Sequence, residues 1–275
     1  MKKSNTELMC LYWTSAGYFP DESEISRFPF KDRVEAAAKA GFKGIGIWHA
    51  DLEHTLQKMS LKEMKNIMDG NGIKYLEVEF LLNWFLDGEK RKESDIQRKR
   101  LLEASQALNA KHVKVGDFYN STTPMSRLIE EFAQLCQDAK EYEAIIGFEV
   151  MGSSMVTTLK DAMEMILGAG ADNGGIIIDI LQQVNLGMTF DEISRIPLKH
   201  MICVELNDGP EGPAGRKYCG EGEYDVKGLI KCLRDMNYAG PWALEVINRE
   251  YAKLPLDTMC KKAYETTMAV FAECE

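Results

Sequence analysis

Ile145-Ile-Gly-Phe-Glu149, Gly175-Ile-Ile-Ile-Asp179, Met201-Ile-Cys-Val-Glu205 and Trp242-Ala-Leu-Glu245 are four apolar runs that each end in a carboxylate, with helical stretches between them. Apolar runs this short, spaced by helices, read as parallel strands buried on both faces. An acid at the carboxyl end of a buried strand is costly without a partner, because desolvation penalises its ionised form. A single strand-end acid reads most simply as a helix cap or a solvated loop residue. Four in succession predict convergence on a positive centre, and a divalent metal is the simplest one.

Working outward, the same strand–loop–helix unit recurs along the chain. Glu7–Trp13, Gly44–Trp48, Ile73–Phe80 and His112–Val115 complete the set of strands. Helices are predicted over Phe30–Ala40, stopped by Gly41, and over Leu61–Met68, Lys90–Leu108 and Pro124–Ala139. Later helices fall at Leu159–Leu167, Phe190–Ile193, Val226–Met236 and Leu256–Phe271, with a Gly/Pro-rich loop over Asn207–Glu223. Eight such units in one chain, with no interdomain linker, predict a single-domain α/β protein over residues 1–275, a (β/α)₈ TIM barrel. An open doubly wound sheet is the alternative, but no Gly-x-Gly-x-x-Gly follows the first strand. In a barrel the four acids fall on the face where active sites form.

The bulk numbers narrow the classes. The chain has 275 residues, 45% hydrophobic and 28% charged, enough for one large core. A formal net charge of -10 argues against nucleic acid and anionic membranes as partners. No apolar stretch spans a bilayer, and Lys2-Lys3 precedes only a short mixed run, which predicts no signal peptide. Seven scattered cysteines without a Cys-x-x-Cys pair argue against a disulfide framework and fit a cytoplasmic protein. Asn120-Ser121-Thr122 matches a glycosylation acceptor and is read as a loop. Cys203 reads as a small core residue, Cys219 as part of a flexible loop, and the fifteen methionines as packing.

At these residues the chain resembles the xylose isomerase-like barrel superfamily over essentially its whole length. The landmarks are Gly44-Ile-Gly-Ile-Trp-His-Ala-Asp51, the Glu149 and Asp179 strands, Val204-Glu-Leu-Asn-Asp208, Arg216-Lys-Tyr-Cys-Gly-Glu-Gly222 and Gly240-Pro-Trp-Ala-Leu-Glu245. The resemblance implies a divalent metal held by residues of strands five to eight: Glu149, Asp179, Glu205 and Glu245. Two positions depart from the family's pattern. Glu205 stands where the family has histidine, and Asp179-Ile-Leu-Gln182 replaces Asp-x-x-His, so an amide takes the place of a substrate-contacting histidine.

The all-oxygen set favours Mn²⁺, with Mg²⁺ or Co²⁺ as alternatives, over zinc. It carries more negative charge than one divalent ion neutralises, so Lys114 and Arg216 are the expected compensating cations. Lys114 on the outside of the barrel is the competing placement. The family chemistry implies proton transfer beside a carbonyl through a stabilised enediolate, with Glu149 and Glu245 as the acid/base pair on opposite sides of the reacting carbon. Substrate contacts are expected from Trp13, His49, Lys114, Gln182, Asp208 and Arg216. His49 reads equally as a histidine satisfying a backbone carbonyl, and Asp208 as the cap of an Asn-Asp-Gly-Pro turn. His54, His112 and His200 read as surface or strand-entry residues.

The leading expectation is a metal-dependent isomerase or epimerase acting on a keto sugar or polyol-derived ketone. A lyase or dehydratase acting by β-elimination, for example on a 3-keto-glycoside, uses the same enolate chemistry and is the alternative. A non-catalytic sugar-binding barrel is the third reading, drawn from the Gln182 and Glu205 departures. Endonuclease activity is disfavoured by the charge and by the missing histidine-rich pattern. The expected partners are a small carbohydrate substrate and further copies of the chain, with a small partner subunit only under the lyase reading.

Overall fold

A computed structural model describes residues 6–118, 123–209 and 215–275. Lys2-Lys3, the Asn120-Ser121-Thr122 motif and part of the Asn207–Glu223 loop lie outside the described residues. Eight parallel strands follow one another around a closed barrel. They are β1 (Leu8–Cys10), β2 (Gly44–Trp48), β3 (Tyr75–Leu81), β4 (His112–Val115), β5 (Ile146–Glu149), β6 (Gly174–Asp179), β7 (Met201–Leu206) and β8 (Trp242–Leu244). Closure is explicit in the register: Leu8 and Cys10 of β1 pair with Trp242 and Leu244 of β8. The TIM barrel expected from the spacing is therefore the fold.

Local chemistry sets the boundaries. The helix Phe30–Ala40 ends at Gly41, whose φ of 119° suits a residue without a side chain. A Cβ there would lie 2.5 Å from the Tyr264 ring, so packing as well as backbone demands glycine. The helix Leu61–Gly70 opens on a capping box, Ser60 accepting from the Glu63 amide while the Glu63 carboxylate accepts from Ser60 N. Between strands and outer helices lies one continuous apolar layer, including Leu8, Ile45, Val78, Val113, Ile146, Ile178, Val204 and Leu244. These alternate with the residues that face the barrel interior.

Several boundaries differ from expectation. β1 stops at Cys10, and Tyr12–Ser15 forms a helical turn, so Trp13 leaves the strand and lies across the barrel mouth. Thr14 anchors this turn to the last unit: its hydroxyl donates to Leu244 O at 2.7 Å and accepts from Val246 N at 2.9 Å. β3 begins at Tyr75, since Ile73 N is spent on Met68 O at the preceding helix end. Short helices His49–Leu56 and Ile180–Asn185 directly follow β2 and β6, where loops were expected. Among the described residues no helix is long and apolar enough to cross a membrane.

Candidate active site

Buried carboxylates line the barrel interior and its carboxyl rim: Glu77 and Glu79 within β3, Glu149 at the end of β5, Asp179 at the end of β6, Glu205 of β7 and Glu245 just past β8. Paired register brings Asp179 level with Glu205. Oxygens of Glu149, Asp179 and Glu205 lie within 4.8 Å of one another. The convergence read from the strand ends is thus present for three of the four expected ligands.

Asp179 is aimed by its neighbours. Its Oδ1 accepts from Leu181 N at 2.9 Å and from Asn207 Nδ2 at 2.8 Å. That leaves Oδ2 without a hydrogen bond, 3.3 Å from Arg216 Nη1. Neither oxygen of Glu205 makes a hydrogen bond of acceptable geometry, and the residue is fully buried. Buried acids of this kind require positive charge beside them, which Lys114 and Arg216 supply in part. The donor set is all oxygen, so the residues present fit a divalent metal.

Two side-chain cations already share the charge. Lys114 points inward from β4, not outward. Its Nζ stands 2.8 Å from Glu205 Oε1, 3.2 Å from Glu77 and from Glu79, 3.4 Å from Glu245 and 3.9 Å from Glu149. Burial alone would release its proton, but the surrounding carboxylates hold the ammonium well beyond the usual lysine range. Arg216 reaches in from the loop after β7. Its Nη1 pairs closely with Glu245 Oε2 and lies 3.3 Å from Asp179 Oδ2. The Arg216 backbone is tied to the extension of β8, its N–H donating to Ile247 O and its carbonyl accepting from Asn248. Gly215 allows this approach, since a Cβ there would meet Ile247 O at 2.0 Å.

The acids differ in electrostatic state. Burial pushes Glu149 up to about 8 against the pull of Lys114. Burial likewise raises Glu79 to about 8, again opposed by Lys114 and reinforced by Glu77. Asp179 is raised by burial despite Arg216, and Glu205 rises further for the same reason. Glu245 is the exception: burial raises it, but Lys114 and Arg216 outweigh that and hold it at about 2.

Above these groups lies a cavity of about 360 Å³ whose walls include Trp13, Trp48, Glu79, Phe80, Lys114, Phe118, Glu149, Gln182, Arg216 and Glu245. Trp13 and Trp48 rings are 5.3 Å apart and Trp48 and Phe80 6.0 Å, forming an aromatic wall over the β1–β3 side. Gln182 lines the opposite side, its Oε1 accepting from Gly152 N at 3.1 Å. Of the residues singled out from sequence, Trp13, Lys114, Glu149, Gln182, Arg216 and Glu245 share this cavity.

Others are placed differently. His49 starts the helix after β2 and lines a separate groove against Gly88–Leu108, so it is no cavity contact. Asp208 accepts from Gly209 N, Gly220 N and Tyr224 N; it organises the seventh loop instead of facing the cavity. His112 stands at the entry of β4, one of its two expected placements, but is buried, 2.5 Å from Glu77 Oε2. Cys203 is a core residue as expected, and Cys219 is buried as well. Sequence reasoning missed Glu79 as a cavity residue. Its signal was available, because Glu77 and Glu79 alternate with apolar neighbours and must share the inward face of β3.

A barrel with acids at successive strand ends defines the class. The family model of the xylose isomerase-like TIM barrel matches residues 34–273, and the chain belongs to this family. The inosose isomerase of Halalkalibacterium halodurans is 23% identical over 256 residues, covering 87% of this chain and 90% of that protein. A 3-dehydroshikimate dehydratase of Pseudomonas aeruginosa is 25% identical over 240 residues, 82% of this chain but 37% of that longer protein. Among solved structures, the IolI protein with a bound zinc atom superposes with a TM-score of 0.87 at 20% identity, covering 98% of this chain and 99% of that one. D-psicose 3-epimerase of Clostridium cellulolyticum, solved with D-tagatose, gives 0.74 at 16% identity, covering 98% and 100%.

Proposed function

We propose that this protein is a divalent-metal-dependent isomerase or epimerase acting on a keto sugar or polyol-derived ketone. The observation that carries the reading is the convergence of Glu149, Asp179 and Glu205 oxygens beneath a cavity walled by aromatic rings on one side and Arg216 on the other. The similarity to inosose isomerases over nearly the whole chain supports the same substrate class.

Glu149, Asp179 and Glu205 would hold the metal, with Glu245 closing the fourth side as the resemblance implies. Bound there, a divalent cation would polarise a substrate carbonyl and stabilise negative charge on its oxygen. Oxygen donors fit Mn²⁺ best, with Mg²⁺ or Co²⁺ as substitutes. The aromatic wall of Trp13 and Trp48 covers a C–H face of the substrate. Gln182 and Arg216 offer donors to its hydroxyl groups. Glu149 takes the proton from the carbon beside the carbonyl, leaving an enediolate. Lys114 lies near enough to stabilise charge on the nearby oxygens. The free cysteines agree with a cytoplasmic protein. Homo-oligomerisation belongs to the same reading.

The test is metal analysis of the purified protein, then incorporation of solvent deuterium into a panel of ketoses, inososes and 3-keto-glycosides. Net interconversion with deuterium at the carbon next to the carbonyl is the expected result. Wild-type protein that binds no divalent metal, or exchanges no proton with any member, would remove the proposal. The similarity to dehydratases keeps elimination as the second reading. Loss of water or another leaving group in the same assay would favour it.

A further inference from the structure

The carboxylates of the cavity do not have equal freedom. Glu149 belongs to the converging group with Asp179 and Glu205, and Glu245 is clamped between Arg216 and Lys114. Glu79 belongs to neither arrangement. It is 1% exposed and lines the cavity on the β3 side, below the aromatic wall and flanking Lys114 opposite Glu149. Its Oε1 accepts from Tyr12 N at 3.4 Å, while Oε2 is buried, makes no hydrogen bond and lies 3.2 Å from Lys114 Nζ.

The backbone leaves deliberate room for this side chain. A Cβ on Gly46 of β2 would lie 3.0 Å from Glu79 Oε1 and 2.6 Å from Tyr12 N. Glycine at that position therefore lets the carboxyl seat against the Tyr12 turn. An acid that lines the cavity, with one oxygen set by a backbone amide and the other beside an ammonium, is held in place for proton transfer.

We infer that Glu79 is the second proton-transferring residue of the mouth, partnering Glu149 in the role that the family resemblance assigns to Glu245. The inference rests on the isomerase or epimerase reading. As Glu149 removes the proton, the C–H electron pair passes into the enediolate. Glu79 then gives its O–H proton to the carbon that is to be protonated, the enediolate pair forming the new C–H bond and Glu79 becoming a carboxylate. Solvent returns a proton to Glu79 and takes one from Glu149, so the cycle closes without a co-reactant. Burial that favours the protonated carboxyl near neutral pH supports the donor role.

The experiment compares wild type, Glu79→Gln, Glu79→Asp and Glu245→Gln, each loaded with Mn²⁺, on whichever panel member the wild type turns over. Four readouts are taken: metal content, ketose binding by calorimetry, deuterium exchange and net conversion. The expected result for Glu79→Gln is unchanged metal content and ketose affinity with kcat down by about 10²–10⁴-fold. Exchange at the carbon served by Glu149 should persist, and Glu79→Asp should recover part of the conversion. Conversion by Glu79→Gln within about tenfold of wild type overturns the role, as does a loss appearing only in KM or in metal content. A conversion defect confined to Glu245→Gln with metal retained also overturns it. If wild type exchanges with no member, the reaction itself falls and Glu79's role with it; intact wild-type exchange beside an unaffected Glu79→Gln removes the Glu79 role alone.

Discussion

Lys114 Nζ lies 2.8 Å from Glu205 Oε1, joining β4 to β7 across the inside of the barrel. Glu205 occupies the position where the family resemblance expects a neutral histidine. A glutamate there adds a negative charge, and the lysine adds a positive one beside it. The charge balance at this position therefore differs from the one the resemblance implies.

Replacing Lys114 with methionine should expose that balance. Removing one partner of a buried ion pair costs about 3–5 kcal/mol, and here several carboxylates lose the same partner. The expected outcome is a large drop in the urea midpoint for Lys114→Met, partly restored by added Mn²⁺. Added metal should raise the midpoint more in the variant than in wild type, because a competing cation has gone. A variant as stable as wild type in metal-free buffer would contradict the assignment.

Asp179→Asn and Glu205→Gln test the converging oxygens directly. Each neutral amide keeps the volume but removes a charged oxygen donor. Affinity for Mn²⁺ should fall by about tenfold or more in both, at least the loss seen when a mere supporting contact is removed. Isothermal titration of metal into chelator-stripped protein measures it. Gln182→Ala, on the cavity wall but outside the donor group, should leave metal affinity unchanged.

Glu79 predicts a pH dependence of stability. Its folded carboxyl is raised to about 8 from the ordinary 4.5, so the folded state binds the proton more tightly than the unfolded chain. The contribution is fully present below the unfolded value and is lost as pH rises through the folded one. Over the window between those values a single group of this kind removes up to about 1.4 kcal/mol per pH unit. Glu79→Gln should therefore lose less stability than wild type between about pH 5 and 8 in urea titrations, and parallel curves would argue against it.

Outside the mouth, Arg33 and Asp51 form a buried pair that ties the helix Phe30–Ala40 to the helix His49–Leu56. Asp51 also accepts from Ser26 N at 3.0 Å, and the Arg33 guanidinium lies 5.0 Å over the Tyr12 ring. Asp51→Asn should cost about 3–5 kcal/mol, because a guanidinium 1% exposed would lose its counter-charge. The double variant Arg33→Met/Asp51→Leu should recover much of this. Chemical denaturation of the three proteins decides it.

The strand ends were legible because burial and charge conflict there. Apolar runs closing on Glu149, Asp179, Glu205 and Glu245 can be read without coordinates, and they fall on one rim. Lys114 was legible as a compensating charge, but its direction depended on whether even or odd residues of β4 face inward. Trp13 was assigned to the cavity for the wrong local reason, since its place comes from a helical turn after β1. His49 and Asp208 stand apart from the cavity wall because a residue after a strand can start a helix or brace a loop. Those choices depend on contacts distant in sequence, such as Asp208 with Tyr224. Glu79 went unassigned because β3 ends in Phe80-Leu81, so its acid is not terminal.

The Thr14 hydroxyl, clipped to both Leu244 O and Val246 N, places the Trp13 side of the cavity under the control of the final strand. During synthesis, a nascent chain that has not yet delivered Val246 lacks both the last rung of the cylinder and the anchor that seats this tryptophan. Catalytic competence should accordingly arrive only once synthesis has passed Val246.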